Sequence, residues 1–134
     1  MAGSTRDERM LAAIRRVLDD DERVLDRGRC WAAIRRPHIP LLVLRRRRYD
    51  AFLTDRRIIL IAHRRGALRP SDVVLAKRFD ALVLGVEHQR VTLFQQRLRT
   101  DTDVSIVVEW PRRWRDLGLV LSDELDRETD RRAA

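Results

Sequence analysis

Arginine is the residue type through which this chain is best equipped to bind a partner. Residues 27 to 69 carry thirteen arginines and only two carboxylates, Asp50 and Asp55, so this segment has a net charge of +11. Six of the arginines bracket a short apolar stretch: Arg35, Arg36, Arg45, Arg46, Arg47 and Arg48. A concentrated positive patch attracts anions, whether lipid headgroups, nucleic acid or an acidic protein, over about 8 to 10 Å at physiological salt. The segment predicts a site for an anionic partner.

The apolar stretch between these arginines favours a membrane as that partner. It reads Pro37-His38-Ile39-Pro40-Leu41-Leu42-Val43-Leu44, and its candidate membrane-tip residues are Ile39, Leu41 and Leu42. Each arginine beside an anionic leaflet contributes about 1 kcal/mol, and each inserted leucine-sized side chain about 1.5 to 3 kcal/mol. Two alternatives stay open. Residues 41 to 44 could fill the core of the fold, and the arginine count could reflect GC-rich codon usage, since asparagine is absent and Lys77 is the sole lysine.

Other chemistries find little support in the residue types and their spacing. The histidines His38, His63 and His88 match no metal-binding pattern, and no glycine-rich phosphate loop exists. Cys30 is the only cysteine, which excludes an internal disulfide, and it lies on the apolar side of an alternating segment, where a thiol acts as a small hydrophobe. We expect no enzyme, no catalytic residue, no metal and no cofactor. Nucleic acid is a less favoured partner, because aromatic residues for base stacking make up only 5% of the chain.

Periodicity predicts the elements that must position the arginines. A capping box at Thr5 and Glu8 opens an amphipathic helix over residues 1–20, whose apolar stripe includes Leu11, Ile14 and Leu18. This stripe would pack on its own sheet or serve as a partner site on a neighbouring chain. Seven short strands are then predicted. The first, after residue 23, alternates apolar and polar residues, and the second and third form a tight hairpin with its turn at Thr54 and Asp55. A second amphipathic helix is predicted from Pro111 to Asp126, docked on the sheet.

Two local patterns carry a resemblance to a known family. The segment Tyr49 to Leu60, read as Leu-Thr-x-x-Arg followed by apolar residues, resembles the "LTxxRhhh" hairpin of bacterial pleckstrin-homology-like (PH-like) and GRAM-like domains. The preceding Asp21-Glu22-Arg23-Val24-Leu25 is similar to the "xEhhh" opening of their first strand. The resemblance covers residues 21–126, and it leaves residues 1–20 as a helical extension and 127–134 as a charged tail. It implies a mainly β (α+β) fold, a seven-stranded antiparallel barrel or bent sandwich capped by the C-terminal helix.

The same resemblance implies a non-catalytic binding or adaptor module. We expect its basic first hairpin to meet an anionic partner, in the first place the cytoplasmic face of a membrane, with an acidic protein or nucleic acid as other anions. The alternative is a homo-oligomeric or protein-interaction scaffold that uses the N-terminal helix or an exposed strand edge. A cytoplasmic location, peripheral to the inner membrane face, fits the charges in the first twenty residues, where a signal peptide would be apolar. A length of 134 residues predicts one domain.

Overall fold

The computed structural model describes residues 12, 14–35, 47–62, 73–102 and 104–133, with Arg35 and Val74 described by their backbone only. Seven strands and one long helix follow in chain order: β1 Val24–Arg35, β2 Arg47–Thr54, β3 Arg57–Ala62, β4 Val73–Arg78, β5 Leu82–Gln89, β6 Leu93–Thr100, β7 Ser105–Pro111 and α1 Arg115–Ala133. Short 3-10 turns, Phe79–Ala81 and Arg112–Trp114, precede β5 and α1. The prediction of a mainly β chain with seven antiparallel strands and a C-terminal helix is confirmed.

The strands form one antiparallel sheet in the order β4-β3-β2-β1-β7-β6-β5. Of the predicted barrel or bent sandwich, the antiparallel sheet is confirmed, but the sheet is not closed: within the described ranges β4 and β5 stand at opposite ends of this order and no ladder joins them. The helix α1 packs against β1, β5, β6 and β7 and against the Phe79–Ala81 turn that joins β4 to β5. Its last turn reaches the Phe79–Ala81 turn, where a guanidinium nitrogen of Arg132 donates a hydrogen bond to the carbonyl oxygen of Asp80.

The main core lies between the concave face of the sheet and α1. Alternation along β7 buries Ile106, Val108 and Trp110, and the helix contributes Leu117, Leu121 and Leu125 to the same core. The helix continues past the predicted end at Asp126 to Ala133, through residues expected to form a charged tail. Ion pairs three residues apart support this last part, joining Arg127 to Glu124 and Arg131 to Glu128.

A second apolar cluster covers part of the opposite, outer face of the sheet. Phe52 on β2 and Ile59 and Ile61 on β3 are fully buried there, and Ile14 and Leu18 pack against them. Both strands of this hairpin are therefore buried on both faces. In the described part of the chain, the two predicted partner-helix residues Ile14 and Leu18 lie on the chain's own sheet.

The predicted N-terminal helix over residues 1–20 is not among the elements that the described residues form. Leu11 lies outside them. Helical hydrogen bonding ends within one turn of Ile14, since the N–H groups of Val17 and Leu18 both donate to its carbonyl oxygen. A turn then closes between Asp19 and Glu22, whose backbone groups are joined by a hydrogen bond of 3.0 Å. The chain enters β1 directly from this turn.

Candidate functional site

The first hairpin does not place its predicted arginines on one face. Arg47 lies opposite Ala32, and Arg48 lies opposite Trp31. Because successive strand residues point to opposite faces, Arg47 belongs to the concave side and Arg48 to the outer side. The guanidinium of Arg48 lies 5.0 Å from the centre of the Trp31 ring, a cation–π contact. Arg35 ends β1 opposite Ser105, and the other predicted site residues lie outside the described ranges: Arg36, Ile39, Leu41, Leu42, Arg45 and Arg46.

Among the side chains that the structure describes, the outer side of β1, β2, β6 and β7 carries four exposed arginines, which we name the outer arginine face: Arg29, Arg48, Arg97 and Arg99. Strand register fixes their arrangement. Arg97 lies opposite Val107 and, one strand further, Ala33, whereas Arg99 lies opposite Ser105 and then Arg35. With about 4.8 Å between strands and about 3.3 Å per residue along them, Arg48 on β2 and Arg97 on β6 are three strands apart and two residues out of line, a separation of roughly 16 Å. The face therefore spans a distance comparable to several phosphate groups.

The two carboxylates of this face leave half of its positive charge uncompensated. Asp50 is buried and lies 3.6 Å from the side chain of Arg29, which remains about half exposed. Glu109 is half-buried opposite Trp31. Arg97 and Arg99 are both exposed on β6, two residues apart and so on the same face. Four arginines and two carboxylates give this region a net positive charge.

The sequence did not predict the two arginines of this face that lie on β6. Arg97 and Arg99 lie some fifty residues beyond the first hairpin and outside the segment of highest charge. A sequence signal was nevertheless present, because the apolar Phe94 and Leu98 fall on even positions and the polar Gln95, Arg97 and Arg99 on odd ones, as in a half-buried strand. Recognising the face also needed the pairing of β7 with both β1 and β6, which the alternation does not show.

The residues that carried the family resemblance form a buried polar cluster, which we name the Glu22 cluster: Glu22, Thr54 and Arg57. The side chain of Glu22 is fully buried and accepts hydrogen bonds from the Arg57 guanidinium at both oxygens, over 2.9 and 2.8 Å. The hydroxyl of Thr54 donates to Glu22 over 2.6 Å and accepts the N–H of Arg57 over 2.9 Å. Arg57 also donates to the carbonyl oxygen of Val17. The motif thus ties the β2–β3 turn to the segment before β1.

The pKa of Glu22 reflects two opposing effects in this cluster. Burial raises the pKa of Glu22, but hydrogen bonds from Arg57, Thr54 and the N–H of Asp19, with the charge of Arg57, outweigh it. The pKa therefore lies below its ordinary value of 4.5, and the carboxylate is ionised at neutral pH.

Arg56, next to this cluster, is engaged by exposed carboxylates. Its guanidinium lies 2.5 Å from Asp21 and 3.5 Å from Asp19. The hydrogen bond from Arg56 lowers the pKa of Asp21. Arg56 and Arg57 belong to the +11 segment of the sequence, yet both are neutralised within the chain, so neither adds to the anion-binding site.

A groove of about 590 Å³ lies between the segment before β1 and the start of that strand. Its lining combines apolar residues with charged ones: Ile14, Arg15, Leu18, Glu22, Arg23, Val24, Leu25, Asp26 and Arg27. Arg27 precedes Arg29 by two residues on β1, so it lies on the same face of the strand. The groove therefore continues the positive region of the outer arginine face toward the Glu22 cluster.

Cys30 is a core residue, as predicted. It is 1% exposed, and burial, with a smaller contribution from the charge of Asp50, raises the pKa of its thiol to about 12. We predict that the native chain resists alkylation by iodoacetamide at pH 8, whereas the denatured chain reacts completely. Mass spectrometry of both samples measures this, and rapid labelling of the native chain would contradict the placement of Cys30.

Two further kinds of site are not found in the described part of the chain. Its histidine, cysteine and carboxylate side chains form no group of three or more that could hold a metal ion. None of its helices is both long and apolar enough to cross a membrane. Comparison with known proteins yields no match to a protein-family model, to a curated protein or to a solved structure.

Proposed function

We propose that this chain is a non-catalytic, PH-like binding module whose outer arginine face docks on an anionic membrane surface. The fold proposal is supported by the order of elements, an antiparallel sheet in the order β4-β3-β2-β1-β7-β6-β5 followed by a helix on its concave face. It is supported also by the Glu22 cluster, in which the residues of the first-strand and hairpin motifs contact each other. A peripheral position on the cytoplasmic face of the membrane is part of the same proposal.

The observation that carries the functional proposal is the grouping of Arg29, Arg48, Arg97 and Arg99 on one exposed side of four adjacent strands. Strand pairing holds their backbones in place, so little backbone order has to be gained on binding. Asp50 already pairs with Arg29, so at about 1 kcal/mol for each arginine beside an anionic leaflet the other three give roughly 3 kcal/mol, a dissociation constant of roughly 6 mM. Such binding is weak, reversible and sensitive to salt. The hairpin arginines and the tip residues Ile39, Leu41 and Leu42 would add to it.

Cosedimentation with vesicles tests this proposal. We expect the chain to bind vesicles rich in phosphatidylserine at about 0.15 M salt, and to bind neutral vesicles much more weakly. The double substitution Arg97→Gln, Arg99→Gln should weaken binding to the anionic vesicles by roughly 10- to 30-fold, because two contributions of about 1 kcal/mol are lost. The change in bound fraction with lipid concentration gives this ratio.

A matched control removes the same charge elsewhere. Arg127→Gln with Arg131→Gln changes two exposed arginines of α1 that are paired with Glu124 and Glu128, and we expect it to leave vesicle binding nearly unchanged. Equal losses of affinity for anionic vesicles in the two double variants would show that net charge alone drives binding. Negligible binding of the wild-type chain to both vesicle types would overturn the proposal, as would retention by nucleic acid without vesicle binding.

A further inference from the structure

The outer side of β5 carries exposed apolar side chains beside the outer arginine face. Val83 and Val86 are 47% and 52% exposed, and they are two of the five large apolar side chains that are exposed among the described residues. In the β5–β6 ladder Val83 lies directly opposite Arg99. Residues that lie opposite each other in a ladder point to the same face of the sheet, so Val83 shares the outer side with Arg99.

A bulge in β5 sets Val86 on the same side. The register shifts between Leu84 and Glu87, because two residues of β5 there oppose one residue of β6, Arg97. The carboxylate of Glu87 lies 3.3 Å from the hydroxyl of Ser122 on α1, so Glu87 points to the concave side. Val86 precedes Glu87 in the strand and therefore points to the outer side, next to Arg97.

Arg97 has a valine on each neighbouring strand. Val86 flanks it on β5, and the half-buried Val107 lies opposite it on β7. Arg99 likewise has Val83 beside it. A cationic surface with apolar side chains between its charges complements an anionic membrane, which offers both phosphate groups and hydrocarbon.

The place of β5 in the sheet determines which of these side chains reach a membrane first. Among the described strands, β5 is at one end of the sheet. Docking with this edge tilted towards the lipid brings Val83 and Val86 to the headgroups. The longer side chains of Arg97 and Arg99 then reach back to the phosphate groups, while their aliphatic stems stay against the apolar neighbours.

We propose that Val83 and Val86 insert between lipid headgroups when the outer arginine face docks, so that the chain selects anionic membranes whose headgroups are loosely packed. This inference rests on the proposed membrane docking, and it adds the edge that enters the lipid and the class of membrane that is preferred. Arginines are attracted to any anionic leaflet. Apolar side chains need gaps between headgroups, so binding that depends on them varies with membrane curvature and lipid composition.

Vesicles of one phosphatidylserine content but two sizes test the insertion, since small vesicles are more curved and expose more gaps. We expect the wild-type chain to bind the small vesicles several-fold more tightly than the large ones. The double substitution Val83→Thr, Val86→Thr keeps the charge and the β-branched shape. It should weaken binding to the small vesicles by roughly tenfold, because two half-exposed valines no longer bury apolar surface. It should also abolish the preference for curvature.

Leu119→Gln is the matched control, because Leu119 is an exposed apolar side chain of α1, on the other side of the sheet. It should bind both vesicle sizes as the wild type does, and thermal unfolding should show that all variants are folded. Equal affinity of the wild type and the valine variant for small vesicles would overturn insertion but leave docking by the arginines standing. Failure of the wild-type chain to bind any anionic vesicle would overturn both proposals.

A fluorescent dye measures the depth of this edge directly, since Cys30 is buried and an introduced cysteine is the reactive thiol. We expect a nitrobenzoxadiazole dye on Val86→Cys to be quenched several-fold by vesicles with brominated acyl chains. The same dye on Asp123→Cys, on the exposed side of α1, should be unaffected. A vesicle-bound chain whose dye at position 86 is not quenched would contradict insertion, as would a dye that responds to an acidic protein but not to vesicles.

Discussion

Replacing Glu22 with glutamine should lower the free energy of unfolding by about 3 kcal/mol. Glutamine keeps the shape of the side chain but removes the charge that faces the guanidinium of Arg57. Breaking a buried ion pair by removing one partner costs roughly 3 to 5 kcal/mol, and we take the lower end because Arg57 is partly exposed. Urea denaturation at pH 7 measures the loss. The control is Asp21→Asn, which breaks an exposed pair with Arg56 and should change stability little.

The pH dependence of this loss separates the charge of Glu22 from its packing. Because its pKa is lower in the folded chain than in the unfolded one, Glu22 stabilises the fold fully above its unfolded pKa. That contribution is lost as the pH falls below about 4.5 and passes the folded pKa. The stability difference between wild type and Glu22→Gln should therefore shrink with acidification. A difference that stays constant from pH 7 to acid would show that the carboxylate charge does not stabilise the fold.

Replacing Gly118 with alanine should also destabilise the fold, by about 2 kcal/mol, although alanine normally stabilises a helix interior by about 1 kcal/mol relative to glycine. A β-carbon at this position would lie 2.5 Å from Cδ1 and 2.8 Å from Nε1 of Trp110, and 3.0 Å from a ring carbon of Phe94. Trp110 is fully buried. The ring must shift, and overpacking of this kind costs about 1 to 3 kcal/mol.

The shift would also disturb a buried hydrogen-bond network. The indole N–H of Trp110 donates to the side-chain oxygen of Gln96 over 2.7 Å, and the amide nitrogen of Gln96 donates to the carbonyl oxygen of Gly118 over 2.9 Å. Leaving such a group unsatisfied costs about 1 to 3 kcal/mol. Thermal unfolding should show a midpoint lowered by roughly 8 °C. Ser122→Ala, one turn further along α1, should cause no comparable loss, and a stabilised Gly118→Ala chain would contradict the packing.

The sequence predicted the individual strands and the helix better than it predicted whether the sheet closes into a barrel. Alternation such as that of Val104, Ile106, Val108 and Trp110 identifies a strand, because side chains of one face recur every second residue. Whether the sheet closes depends instead on whether its two edge strands, β4 and β5, pair with each other, which no local pattern reveals. The same limit applies to the helix end, where ion pairs along Glu124 to Arg131 extend α1 into a segment of low apolar content.

The candidate site was predictable only in part, for a related reason. Charge density along the sequence pointed to the first hairpin, which includes Arg48 of the outer arginine face. The same charged segment also includes Arg57, but Glu22, which lies 35 residues earlier in the chain, neutralises it. Arg97 and Arg99 join the face through strand pairing over a still larger separation. Composition locates positive charge along the chain, but only tertiary contacts decide which guanidinium groups are neutralised and which face solvent together.

Site-directed labelling tests the docking of the outer arginine face most directly, since the buried Cys30 leaves an introduced cysteine as the reactive thiol. Gln95→Cys places a spin label on the outer side of β6, opposite Glu109, and Asp123→Cys places one on the exposed side of α1. With phosphatidylserine vesicles, we expect accessibility to a water-soluble nickel relaxant to fall several-fold at position 95 and to stay unchanged at position 123. Protection at position 123 alone, or at neither position while the chain is bound, would contradict docking by this face.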